Sequence, residues 1–423
     1  MGSIHDLLKD VPIPRMARVR QIFDPQHLDD IPSEMAAQFD RAEVKDSVRP
    51  GMRVAVTAGS RGIANLALII RETVAFLKRQ GAQPFVIPAM GSHGGATAEG
   101  QLAVIREYGV TPEYVGCPVI ATMDVLQIGA LEDGRPIYIN RLAAEADGIV
   151  TLNRIKAHTA FRGRYESGTM KMLTIGLGCQ KGAEVCHRQG IEKLGVNVEK
   201  FAFGILKNAR VLLGVGIVEN ACDQTAMVRV MTGEELPRKE AELLKIAKAR
   251  MACIKLPKVD VLIVDRIGKD ISGEGMDPNI TGRWIVPGIR GGIEAVRVGV
   301  LDVTDATLGN VVGLGMADVC SRRVVEKMSR ENTYPNSLTS TVTSLCRIPM
   351  YFDTHRETIQ AAIKMTPGRA PEEITMIRIR DTLSMGEIEA SENLLDQISG
   401  REDMEILGEP REMTFNAAGD LFQ

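Results

Sequence analysis

No stretch of this chain stays apolar for the roughly eighteen residues a membrane helix needs. The amino terminus, MGSIHDLLKDVPIPRMARVR, also lacks the apolar core of a secretory leader. Export and membrane spanning are therefore not expected. Asp6 stands where N-myristoylation needs a hydroxyl residue, so that anchor is not expected either. There is no arginine-rich arm or basic run, and a formal net charge of −3 leaves no electrostatic footprint for nucleic acid. The seven cysteines are odd in number, show no paired spacing and form no CxxC, which argues against a disulfide framework and for a reducing, cytoplasmic setting. Fixed-period repeats and low-complexity tracts are missing. So is a GxGxxG after the first strand, which ranks a nicotinamide-dependent dehydrogenase low.

What is there suits a large globular protein. With 423 residues and 44% apolar content, two domains are expected. We place them at 1–256 and 257–403, with the tail 404–423 packing back on the first. Arg53 to Thr57 has the pattern of a short buried strand. It ends in Ala58-Gly59-Ser60-Arg61-Gly62, and a helix follows with apolar residues at 63, 66, 67, 70, 74 and 77, one face at a period near 3.6. Ser60 and Arg61 thus sit where a helix amino terminus can meet an anion, or where a tight turn simply carries a surface arginine. The unit repeats: strand Pro84 to Pro88, then a loop with Gly91-Ser92-His93-Gly94-Gly95, then a helix from Thr97. Further strands are expected at Pro118 to Ala121, Pro136 to Ile139, Gly148 to Leu152 and Val259 to Val264, and a helix from Met316 to Ser329. Alternating strands and helices predict an α/β fold: two domains, each with a mostly parallel or mixed sheet flanked by helices, and an active site in the cleft between them.

Chemistry concentrates in Asn153 to His187, which holds two of the six histidines. His158 follows a strand, at the end where open α/β sheets place ligands. Lys171 lies among Met170, Met172 and Leu173, with Gly168, Gly176 and Gly178 near. Apolar surroundings make a lysine lose charge and become an amine nucleophile, although the same residues also suit a lysine that snorkels to solvent. His187 fits a metal ligand, a base or a core histidine. His93 is presented on a glycine loop, where function is more usual than packing. The run Gly268 to Asn279 is long for a connection and dense in polar groups, which marks it as a binding loop with Lys269 as a candidate substrate-binding residue.

His93 on GSHGG, His158, Lys171 and His187, in this order and spacing, resemble the nickel-dependent lactate racemase family. The resemblance implies a nickel-pincer nucleotide, a pyridinium mononucleotide that holds nickel through sulfur, carbon and sulfur, tethered through Lys171 with Ser60 and Arg61 at its phosphate. It also implies His187 as the nickel ligand, His93 and His158 as paired general acid/bases, and cofactor biosynthesis proteins as partners. The implied reaction is inversion of C2 of a 2-hydroxy acid by proton-coupled hydride transfer; a non-catalytic cofactor-binding protein of this fold and a three-histidine zinc hydrolase are the alternatives. Between His158 and Lys171 the sequence reads TAFRGRYESGTM, longer and more charged than the family's linker, and Ala58 replaces an expected aspartate. Arg162 and Arg164 are therefore assigned to substrate binding, and a substrate larger or more polar than lactate is expected.

Overall fold

The computed structural model describes residues 2–59 and 62–422. Fifteen strands are described, and we number them in chain order: β1 Met16–Gln21, β2 Arg53–Ala58, β3 Gln83–Pro88, β4 Val125–Ala130, β5 Pro136–Asn140, β6 Gly148–Arg154, β7 Val211–Glu219, β8 Thr225–Thr232, β9 Lys258–Ile267, β10 Glu294–Val303, β11 Val319–Ser321, β12 Met350–Phe352, β13 Met376–Ile379, β14 Glu387–Ser391 and β15 Met404–Ile406. The chain divides into one unit of Asp24–Met251 and another made of Met1–Phe23 with Ala252–Gln423. Both are α/β. Among the described residues no helix is long and apolar enough to cross a membrane.

In the Asp24–Met251 unit a five-stranded sheet runs in the order β3-β2-β6-β7-β8. The first four strands are parallel and β8 turns back antiparallel on β7. Successive side chains of a strand face opposite sides, and β2 shows it: Val54 and Val56 join one buried cluster, Ala55 the other. Helix Leu66–Arg79 covers the first face with Leu66, Ile69, Ile70, Val74 and Leu77. The second face carries Phe161, Met170, Met172 and Leu173, so the segment bearing Lys171 is rooted in a core. Thr232 and Glu235 form the capping box their spacing predicts: Glu235 N–H donates to Thr232 Oγ1 at 3.3 Å and Thr232 N–H to Glu235 Oε2 at 3.0 Å. Of the expected strands, one is not formed and another is formed but pairs outside the main sheet. Around residue 119 there is only an isolated bridge to Val86, and Pro136–Asn140 pairs antiparallel with β4 in a separate hairpin.

The other unit is an eight-stranded mixed sheet, β12-β11-β10-β9-β13-β14-β1-β15. Here the domain limits expected from sequence are corrected at both ends. β1 lies between β14 and β15, antiparallel to both, so residues 1–23 belong with this sheet. The tail follows the same sheet through β15, with Met413, Phe415 and Phe422 packed on the cluster of Ile359, Ile363 and Met376. The reason is physical: the alternating pattern of Met16–Gln21, buried at Ala17, Val19 and Gln21, needs two strand neighbours that only this sheet supplies. Residues 316–329, expected as one helix, instead give a short turn, β11 and the helix Arg322–Lys327, because Val319 and Cys320 pair with Gly299 and Val300.

Candidate functional site

The site is built on the second face of the five-stranded sheet. β6 continues past Arg154 because Ile155 N–H donates to Ile217 O at 2.7 Å, and Lys156 and Ser167 exchange backbone hydrogen bonds of 3.0 Å. That bridge closes a loop over residues 157–166, with His158 at the strand's carboxyl end as expected.

A buried carboxylate shapes this loop. Glu166, with a side chain that is 0% exposed, accepts from His158 N–H at 2.8 Å, Gly163 N–H at 3.4 Å, Arg162 Nη1 at 3.2 Å and Lys248 Nζ at 2.6 Å. A charge taken out of water must be paired and hydrogen-bonded, and here the pairing also orients His158. The imidazole lies against Phe161, with ring centroids 4.2 Å apart. Its Nδ1 accepts Ala160 N–H at 2.9 Å, and its Nε2 lies 2.6 Å from Lys171 Nζ. Tyr165 donates to Pro237 O at 2.9 Å and ties the loop to the helix Leu236–Arg250.

Lys171 ends a short helical turn, Thr169–Lys171, that passes directly into a wider π turn, Met172–Gly176. Such wide turns concentrate at functional sites. The turn begins on a second buried carboxylate, Glu240, which accepts from Thr169 N–H at 2.8 Å and Met170 N–H at 3.1 Å. Burial pushes the Glu240 carboxyl up to about 7 despite the bonds from Thr169 and Met170. A Cβ at Gly168 would come within 2.4 Å of Glu240 Oε1, so the carboxylate would have to shift.

His187 closes the helix Cys179–His187. Its Nδ1 donates to Ala183 O at 2.7 Å, so Nε2 carries the lone pair, the form in which imidazole binds a metal. Burial holds its pKa below the usual histidine range. Lys171 lies within interaction range of both His158 and His187. His93 is exposed, on a loop whose Gly91, Gly94 and Gly95 all have positive φ of 63 to 67°. Gly91 N–H donates to Gly176 O at 3.2 Å, and Gln101 Nε2 donates to Gly91 O at 3.0 Å. The histidine loop is therefore fastened to the far end of the turn that starts at Lys171.

Other candidates fare differently. Ser60 and Arg61 lie outside the described residues. Arg162 directs Nη1 at Glu166 and at His158 O, 3.0 Å away, so it supports the loop. Arg164 is 51% exposed, lies over Tyr165 and faces Glu199. Each guanidinium therefore has a carboxylate partner within its own unit, Glu166 for Arg162 and Glu199 for Arg164. Lys269 belongs to the other unit and donates to Gly273 O within its own loop. Glu240 and Lys248 were missed in sequence. The available signal was Glu240 itself, on the apolar stripe of Leu236, Leu243, Leu244 and Ala247. Among the described residues, no three His, Cys, Asp or Glu side chains gather as a metal site.

Residues 20–195 match the model of the lactate racemase N-terminal domain. The fold is similar to that of the lactate racemase apoprotein from Thermoanaerobacterium thermosaccharolyticum, with 12% identity, TM-score 0.52, and coverage of 87% of this chain and 99% of that one. A Thermotoga maritima protein of known structure matches at 15% identity and TM-score 0.45, over 61% of this chain and 69% of its own. No functionally curated protein matches the sequence.

Proposed function

We propose that this chain, whose residues 20–195 match the lactate racemase N-terminal domain, is an isomerase of the lactate racemase family that inverts the C2 centre of a 2-hydroxy acid, with a nickel-pincer nucleotide on Lys171. The observation that carries this reading is the cluster itself: Lys171 Nζ 2.6 Å from His158 Nε2, with His187 nearby and its Nδ1 committed to Ala183 O. The donor set fits the group. The nucleotide brings three of nickel's four ligands, so the protein needs to add one soft-compatible nitrogen, and His187 Nε2 is of that kind. Lys171 fits the tether, a half-buried amine rooted between buried Met170 and Met172.

When bound, the nucleotide supplies the carbon that takes and returns a hydride. The chain's own residues handle the proton. His158 and His93 stand as the two groups that exchange the substrate hydroxyl proton, one for each enantiomer, and a histidine can hold either protonation state near neutral pH. Glu166 holds the His158 backbone N–H and Phe161 lies against the ring while it does so. Arg162 and Arg164, which face Glu166 and Glu199, remain the candidates for meeting a substrate larger or more polar than lactate.

Production of the chain together with the cofactor biosynthesis proteins tests the reading. Intact mass should show an adduct lost in Lys171→Ala, nickel should approach one per chain, and single enantiomers of lactate, malate-like or gluconate-like acids should lose optical purity. Unchanged stereochemistry across that panel in nickel-loaded protein defeats it.

A further inference from the structure

We propose that His158 prepares Lys171 for acylation: in the bare chain the imidazole holds this side chain as a neutral amine, so Lys171 is the lysine that reacts first with an activated acyl or thioacyl ester. The biological use of this reactivity rests on the reading of Lys171 as the cofactor tether. The reactivity itself belongs to the chain alone.

The argument is one of hydrogen-bond direction. His158 Nδ1 accepts Ala160 N–H at 2.9 Å, and a ring nitrogen that accepts an N–H carries no hydrogen of its own. A neutral imidazole then carries its hydrogen on Nε2. Nε2 is 2.6 Å from Lys171 Nζ, and since Nε2–H donates, Nζ accepts. An ammonium has three donors and no acceptor, so it cannot take this bond. For an ammonium to donate instead, the ring would have to be an imidazolate or turn an Nδ1–H into the Ala160 N–H. Neither suits the geometry. The ring is also held against such changes by the Phe161 stack and by the Glu166 bond to its own backbone N–H.

The surroundings agree. Met170, Met172 and Leu173 are buried, which disfavours a charge, while Lys171 itself stays partly exposed. In the reaction the Nζ lone pair leaves Nε2–H and bonds to the acyl carbon. The carbon's bond to its oxygen or sulfur leaving group breaks, and that group departs with the electron pair. Water or the leaving group takes one proton from nitrogen, leaving an amide or thioamide. An ordinary lysine is neutral in only about one molecule in 10³ at pH 7, so a lysine kept neutral has a large kinetic advantage.

Full-length protein from a host without the cofactor pathway is treated at pH 7 with limiting acetyl N-hydroxysuccinimide ester, and acetylation of each lysine is followed by peptide mass spectrometry. Lys171 should react about 10-fold or more faster than the median lysine, given the neutral fraction above. His158→Phe, which keeps a ring beside Phe161, should remove that advantage and leave other lysines unchanged. A Lys171 rate at the median, or one that His158→Phe leaves intact, overturns the proposal. If His158→Phe does not fold, ¹⁵N-histidine spectra of the unsubstituted protein decide: the Nε2–H tautomer at His158 supports it, and an Nδ1–H tautomer or an imidazolium overturns it. Fast acetylation without any nucleotide adduct in co-produced protein sinks the proposed function alone. An adduct on a Lys171 of ordinary reactivity sinks only this inference.

Discussion

The Glu240 carboxylate accepts the backbone N–H of Thr169 at 2.8 Å across 71 positions of sequence, and so fastens the turn that ends at Lys171 to the helix Leu236–Arg250. Glu240→Ala leaves two amides and a hydroxyl without that acceptor in a site that excludes water. We expect a loss of about 1–3 kcal/mol, measured by urea unfolding.

The same residue sets a pH dependence. Its folded pKa of about 7 lies above the ordinary carboxylate value. Between those values the folded state keeps a proton that the unfolded state has released, so the contribution to stability is full below the unfolded pKa and is lost as pH rises through about 7. Glu240→Gln cannot titrate. The difference in urea midpoint between pH 5 and pH 8 should therefore shrink in that variant; equal slopes would refute the assignment.

Glu166 gathers Arg162, Lys248 and two backbone amides beneath His158. Removing one partner of a buried ion pair is costly, but both cations here are partly exposed and can turn to solvent. Glu166→Ala should therefore cost about 2–3 kcal/mol. Glu166→Gln, which keeps an acceptor of the same shape, should recover part of it in a thermal melt.

Gly168 and Glu240 are in contact, so their substitutions should not be additive. Gly168→Ala drives a methyl group into the carboxylate. A double-mutant cycle with Glu240→Ala should show a coupling of about 0.5–3 kcal/mol, the double variant being less damaged than the two losses added together. Additive losses would mean that the two sites do not touch.

In protein loaded with nickel and nucleotide, His187→Ala should lower nickel content, because it removes a metal-binding nitrogen whose partner nitrogen is tied to Ala183. His93→Ala should leave nickel nearly unchanged and abolish racemisation. Elemental analysis beside chiral chromatography separates the two. Equal nickel loss in both variants would argue for a shared histidine metal site.

Much was legible in the chain itself. The face of helix Leu66–Arg79, the Thr232–Glu235 capping box, the buried strand at 259–264 and the glycine loop under His93 all follow from patterns spanning a few residues. Such patterns are local because helix period, strand alternation and positive φ are properties of neighbouring residues. His158 at a strand end and Lys171 in an apolar run were visible for the same reason. What the tertiary structure decided was which distant groups meet. Strand β1 found its place between β14 and β15, and TAFRGRY turned its arginines toward Glu166 and Glu199. Lys248 reached Glu166 across 82 positions. No periodicity encodes these pairings. A buried charge or an unpaired strand edge takes whichever partner the folded chain brings within reach, and the contact between Lys171 and His158 depends on the orientation of one imidazole.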